Sequence, residues 1–231
     1  MAEGKLDMLT LIQDRRPRQL LEAATGLGFL HGREIKSPGE WVDTGEPPRR
    51  IGDGEWAPID ECLGLYDPKR SRINLFEQGI RDASSMLTCS MDDLCLIVRV
   101  HEFAHALVHL GPYAEAFEAT TGYPEDSSEQ KRIQSKADRL FAKIPHVLHE
   151  QLAQILTYYA LAETVRVAGW DDQTRQRCLG LFSDLMHHQP PQYRVFDLLE
   201  VPKLRVVKSL GLIRDRVLAA DVDAWRAVVL W

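Results

Sequence analysis

The chain has no Cys-x-x-Cys pair. Its four cysteines, Cys62, Cys89, Cys95 and Cys178, are scattered, which excludes a thiolate zinc knuckle and a thioredoxin-type redox site. At 231 residues the chain is long enough to bury a core without disulfide staples. Unpaired thiols then point to a reducing compartment. Long apolar runs are also missing: the most apolar stretch, Leu94–Val100, is broken by Arg99 and falls far short of a membrane span. The opening residues MAEGKLDMLTLIQDRRPR carry acids early and no apolar signal core, so the expectation is a cytoplasmic protein with no membrane association. There is no excess of positive charge. Lys and Arg number 28 against 34 Asp and Glu, a net charge of −6, which argues against nucleic acid as the main partner. The basic run Arg15-Arg16-Pro17-Arg18 reads as a solvated turn. No repeat of solenoid length is present. Gly26-Leu27-Gly28 has no following lysine and is no phosphate loop, and the H-x-E with later C-x-x-C of zinc deaminases is absent.

What is present is an ordinary globular mixture, 45% apolar and 27% charged. Residues 5–30 read as helical, interrupted at Pro17, and 36–60 as a Pro/Gly-rich loop whose Trp41 and Trp56 should lie on the body. Cys62–Asp67 and Arg72–Phe76 read as two strands of a hairpin around Asp67-Pro68-Lys69-Arg70. A helix should run from about Met91 to His109, with Ser90 as N-cap, Asp93 completing a capping box, and Gly111-Pro112 as its end. Residues 121–131 read as a solvated loop, 130–142 as a helix, and His146 to Val167 as another. Gly169-Trp170-Asp171-Asp172 restarts the chain into a helix ending before Pro190-Pro191, and the tail after Pro202 is again helical in pattern. Strands in the first half and helices in the second predict one α+β domain over 1–231. Within it, 1–60 holds the N-terminal helix and loop, 61–168 the chemistry and 169–231 a helical extension. The apolar residues of that extension, through Trp225–Trp231, read as added core or as a partner surface.

The chemistry lies in the stretch His101-Glu102-Phe103-Ala104-His105. On a helix, residues four apart stack on one face, so His101 and His105 can turn their ring nitrogens to one metal ion. Glu102, rotated by about 100°, faces a water on the metal and can take its proton, which zinc makes labile near neutral pH. The pattern is short, but it falls in an apolar, capped, helix-compatible segment after a candidate hairpin. His109 continues the ladder about 12 Å from His101, too far to share the ion. It reads as a surface histidine or a support for the ligands.

A catalytic zinc takes three protein ligands and keeps an open position. The metzincin continuation fails, because Val108 and Gly111 stand where it needs glycine and histidine. The third ligand should come from the later helix, where Glu150 is preferred. Apolar Leu152, Ile155, Leu156 and Tyr159 surround it, and small Ala153 allows close helix packing. Glu163 is the rival, thirteen residues further on and unable to face the same ion. His146 and His149 remain as alternative nitrogen ligands or supporting groups, and a plain N-terminal acid favoured by the helix dipole is the other reading of Glu150.

The segments VHEFAHALVHLG and HEQLAQIL together resemble the zincin metallopeptidases of the gluzincin branch, and are similar to the minimal ImmA/IrrE-type peptidase domains. LGLYDPKRSRINLF resembles the edge hairpin that such domains place beside the active-site helix. The resemblance covers about Leu63–Val167. It implies a zincin-like fold, Zn2+ held by His101, His105 and Glu150, and hydrolysis of a peptide bond through a zinc-activated water with Glu102 as general base. It also implies a donor for the oxyanion. Candidates are Tyr193 in QPPQYRVF with Arg194 beside it, His187 or His188, and Tyr158 or Tyr159. The partner would be a polypeptide, general or one specific protein, added as a strand along the 62–76 hairpin. The competing expectation is a non-catalytic, metal-stabilised interaction or regulatory module, in which His146 or His149 would close the fourth metal position.

Overall fold

The computed structural model describes residues 8–26, 37–45, 63–119 (111–119 by backbone), 135, 138–139, 141–143, 146–189 and 194–195. In chain order these form α1 (Met8–Leu11), α2 (Arg16–Thr25), β1 (Gly39–Asp43), β2 (Gly64–Asp67), β3 (Arg72–Phe76), α3 (Glu77–Met86), α4 (Met91–Ala119), α5 (His146–Ala162) and α6 (Asp172–His187). Residues 135, 138–139 and 141–143 are also helical, all but the last within the stretch expected to be a helix. The architecture is α+β, mostly helical with one small sheet. No helix among the described residues is long and apolar enough to cross a membrane.

α4 is the axis of the fold. Leu94 to Val100 and Glu102 to Leu110 are buried all round it, as expected of a helix enclosed on every side rather than amphipathic. α5 packs along it, with Ala153 and Ala160 fully buried, so the small-residue expectation for Ala153 is met. α2, α3, α6 and the sheet cover its other sides. Asp93 near the start of α4 accepts a 3.1 Å ion pair from Arg177 of α6. Asp171 caps α6, its carboxylate accepting from the Thr174 N–H at 2.7 Å. Cys95 and Cys178 are buried and Cys89 half-buried, all three free, and burial pushes the Cys95 and Cys178 thiols up to about 12.

The sheet has the order β1-β3-β2, with β1 parallel and β2 antiparallel to β3. The expected hairpin is present, its turn fixed by Asp67, whose Oδ1 accepts from the Lys69 and Arg70 N–H groups at 3.0 and 3.2 Å. Glu40, Val42, Ile73, Leu75, Gly64 and Tyr66 share the register and therefore face the helices. Trp41 points the other way, 59% exposed, with the Arg72 guanidinium 5.8 Å from its ring centroid. It does not lie on the body.

Four local expectations need correction. Pro17 opens α2 rather than interrupting a helix, because a first-turn residue needs no N–H donor. Gly39–Asp43 is a strand inside the stretch read as loop; its partner β3 lies far along the chain, so the local Pro/Gly density outweighed it. α4 runs through Gly111-Pro112 to Ala119, since a proline removes one donor and leaves the other helical bonds intact. Gly26, at φ 74°, does end α2, and its N–H reaches the Glu22 carbonyl. α5 stops at Ala162, short of Val167; beyond it the Trp170 indole N–H donates to the Glu163 carbonyl at 3.0 Å. The expectations for Trp56, the 121–131 loop and the helices after Pro202 lie outside the described residues.

Arg99 fixes the N-terminal part to α4. It is fully buried, at 0% exposure. Its guanidinium grips Glu40 bidentately at 2.6 and 2.9 Å and donates to the carbonyls of Leu11, Ile12 and Asp14 at 2.6, 3.1 and 2.8 Å. Four positions of its planar fork are thereby used in one place, which a lysine could not reproduce.

Candidate metal centre

Helical spacing brings His101 and His105 to one side of α4, with ring centroids 4.7 Å apart and planes at 86°. Their Nε2 atoms converge to 3.2 Å. Glu150, from the second turn of α5, closes the group: its Oε2 is 3.3 Å from His101 Nε2 and its Oε1 3.7 Å from His105 Nε2. Together His101, His105 and Glu150 form a candidate metal-binding triad. Donors at 2.0–2.1 Å from a tetrahedral zinc lie about 3.3 Å from one another, so this spacing fits such an ion. Burial pushes His105 down to about 3, against the opposing pull of Glu150, so its imidazole is neutral and its lone pair available at neutral pH.

The other ligand candidates stand apart. Glu163 lies past the end of α5, about 20 Å along the helix axis from Glu150. His146 is 73% exposed at the rim, its Nε2 3.8 Å from Glu150 Oε1 but outside the converging group. His149 turns its Nε2 to the Phe141 carbonyl at 2.8 Å, its ring centroid 6.3 Å from that of His105. Neither histidine joins the triad, and among the described residues the three ligands leave a tetrahedral ion one open position.

Glu102 is buried, at 6% exposure, and its carboxylate runs beneath β2. A β-carbon on Gly64 would meet Glu102 Cγ and Val98 Cγ1 at 2.8 Å and Glu102 Oε1 at 2.9 Å. A glycine is therefore required where the edge strand crosses the helix. A lone glycine inside a strand pattern is a sign of such close approach, and Gly64 carried that sign in the sequence.

Of the oxyanion candidates, Tyr193 lies outside the described residues. Tyr158 and Tyr159 are eight and nine residues along α5 from Glu150, roughly 12–14 Å away. His187 is exposed at the end of α6, where its Nδ1 bonds the Ser183 carbonyl at 2.8 Å, and His188 caps that helix. The structure brings none of these four to the triad.

His109 is not a surface histidine. Its side chain is 1% exposed, with Nε2 2.8 Å from Asp138 Oδ1 and Nδ1 2.8 Å from the Tyr66 hydroxyl. Because a carboxylate only accepts, Nε2–H donates to Asp138 and Nδ1 accepts from Tyr66. Burial lowers the His109 pKa and raises that of the Tyr66 phenol. Tyr66 and Asp138 carried no signal in the sequence. No protein-family model, curated protein or solved structure matches this chain, so the geometry of His101, His105, Glu150 and Glu102 is what bears on its function.

Proposed function

We propose that the protein is a zinc-dependent peptidase with a zincin-like core, in which His101, His105 and Glu150 hold the ion and Glu102 is the general base. The observation that carries the reading is the convergence of two imidazole nitrogens and one carboxylate at tetrahedral spacing, with a further buried glutamate next in sequence to the first of them. Two nitrogens and one oxygen suit zinc. Bound there, zinc supplies a Lewis acid for a carbonyl and lowers the pKa of water.

The remaining steps belong to the chain's own residues. Glu102 takes the proton of the attacking water and delivers it to the departing amine, so one carboxylate serves as base and then as acid. β2, the outer strand of the sheet among the described residues and packed above Glu102, is the strand along which an extended polypeptide would lie. His146 and His149 standing outside the triad weighs against the purely structural, closed site of an interaction module.

The test is zinc content of the purified chain beside His101→Ala, Glu150→Ala and Glu102→Gln, followed by a peptide-library digest. One zinc per chain in the wild type and Glu102→Gln, loss in the other two, and cleavage only by the wild type are expected. Absence of zinc from the wild type after reconstitution, or its retention in both ligand variants, would overturn the assignment.

A further inference from the structure

The ladder of histidines at four-residue spacing on α4 has three steps, and the third, His109, is not a ligand. A buried imidazole with both nitrogens bonded does more than fill space, since a leucine would fill it without needing two partners. Those partners come from opposite sides: Tyr66 belongs to β2, and Asp138 precedes α5.

From His109 the contacts continue towards the candidate metal centre. The Phe141 ring lies on His109 at 4.6 Å between centroids and on His149 at 4.1 Å. The Phe141 carbonyl accepts from His149 Nε2–H at 2.8 Å. His149 is the residue before Glu150. At the start of α5, His146 and Val147 are exposed, so His149 is the packed side chain of that turn among those described. A first helical turn has few backbone anchors of its own, and its orientation depends on such packing.

We propose that His109 and Asp138 are positioning residues for Glu150: Asp138 fixes the His109 ring, which packs on Phe141, and Phe141 clamps His149 and so aims the third ligand at His101 and His105. The inference rests on the metal-site reading above. Partners that orient a ligand typically change metal affinity by 10- to 100-fold when removed.

Asp138 is 52% exposed, so its truncation leaves no hole in the core. Zinc affinity is measured by competition with a chelating dye for the wild type, Asp138→Ala and Asp138→Asn, each also in a Glu150→Ala background. Urea midpoints of the metal-free proteins are recorded alongside. Asp138→Ala should bind zinc at least tenfold more weakly while its metal-free form stays folded, its midpoint falling by no more than the loss of one buried hydrogen bond allows. Asp138→Asn, which keeps an oxygen to accept from His109, should bind as the wild type does. In the Glu150→Ala background, the weak zinc binding left to His101 and His105, lost on purification but still read by the dye, should change less than twofold on adding Asp138→Ala, because the effect passes through that carboxylate. Wild-type affinity in Asp138→Ala, or the same tenfold loss in both backgrounds, would overturn the positioning role while leaving the metal site intact. A wild type that binds no zinc would remove both.

Discussion

Gly64 of the edge strand and Glu102 of the central helix are packed so closely that no β-carbon fits between them: it would sit 2.9 Å from the carboxylate oxygen. The strand backbone thus fixes where the proposed base can be. In Gly64→Ala the carboxylate must move, since the strand, hydrogen-bonded to β3, is the stiffer partner. Misplacing a general base by a fraction of an ångström to an ångström costs up to about a hundredfold in rate. Peptidase kcat in Gly64→Ala should fall about 10- to 100-fold with zinc content unchanged. Steady-state kinetics beside elemental analysis checks it; a variant that keeps its rate would show that Glu102 is not held by the strand.

Zinc should stabilise the fold, because the triad joins α4 to α5. At free zinc about a thousandfold above its dissociation constant, the linkage is worth about 4 kcal/mol. For a chain of this size that raises Tm by roughly 8–16 °C. Thermal melts with zinc and with a chelator should show the shift in the wild type and in Glu102→Gln, and its loss in His105→Ala.

Buried charge sets a second dependence. Glu40→Ala leaves the Arg99 guanidinium, 0% exposed, without its bidentate carboxylate and with only Asp14 Oδ2, 4.0 Å away, as an acidic partner. Breaking a buried pair in this way typically destabilises by about 3–5 kcal/mol. A lower urea midpoint with an unchanged m-value is expected. Glu40→Ala with a wild-type midpoint would contradict the place given to this pair.

Acid should destabilise the metal-free protein through His109. Burial lowers its pKa in the folded chain, while in the unfolded chain the imidazole titrates near about 6.5. Below that pH the unfolded state binds the extra proton, so the contribution is complete above about 6.5 and is lost as pH falls towards the folded value. Urea midpoints of the chelated protein from pH 8 to pH 5 should fall more steeply in the wild type than in His109→Gln, which does not titrate. Parallel slopes would exclude His109 as a source of the acid sensitivity.

The metal-site helix was legible because its logic is local: His101 and His105 are one turn apart, and the apolar residues around them needed only a helix. Glu150 required a second element 45 residues on from His105, and Ala153 with its apolar neighbours was enough to favour it over Glu163 but not to dismiss His146 and His149. Legibility ended where partners are distant or unlike the pattern. β1 is a strand because β3 pairs with it, and nothing within GEWVD outweighs the prolines and glycines around it. His109 read as peripheral because its partners, Tyr66 and Asp138, stand 43 residues before it and 29 after. Arg99 looked like a mere interruption of an apolar run, because the carbonyls and carboxylate that justify it lie at least 59 residues upstream.

That last separation has a consequence for how the chain is made. Leu11, Ile12, Asp14 and Glu40 converge on a cation that leaves the ribosome 59 to 88 residues after them. At the usual pace of translation that delay lasts on the order of 3–18 seconds. Throughout it, these three carbonyls and the carboxylate lack the charge around which they are arranged in the folded chain. The contacts of Leu11, Ile12, Asp14 and Glu40 with Arg99 therefore form only when α4 emerges, and the same helix carries His101 and His105 of the candidate triad. Anchoring of these early residues and appearance of the candidate metal centre become a single event in biosynthesis.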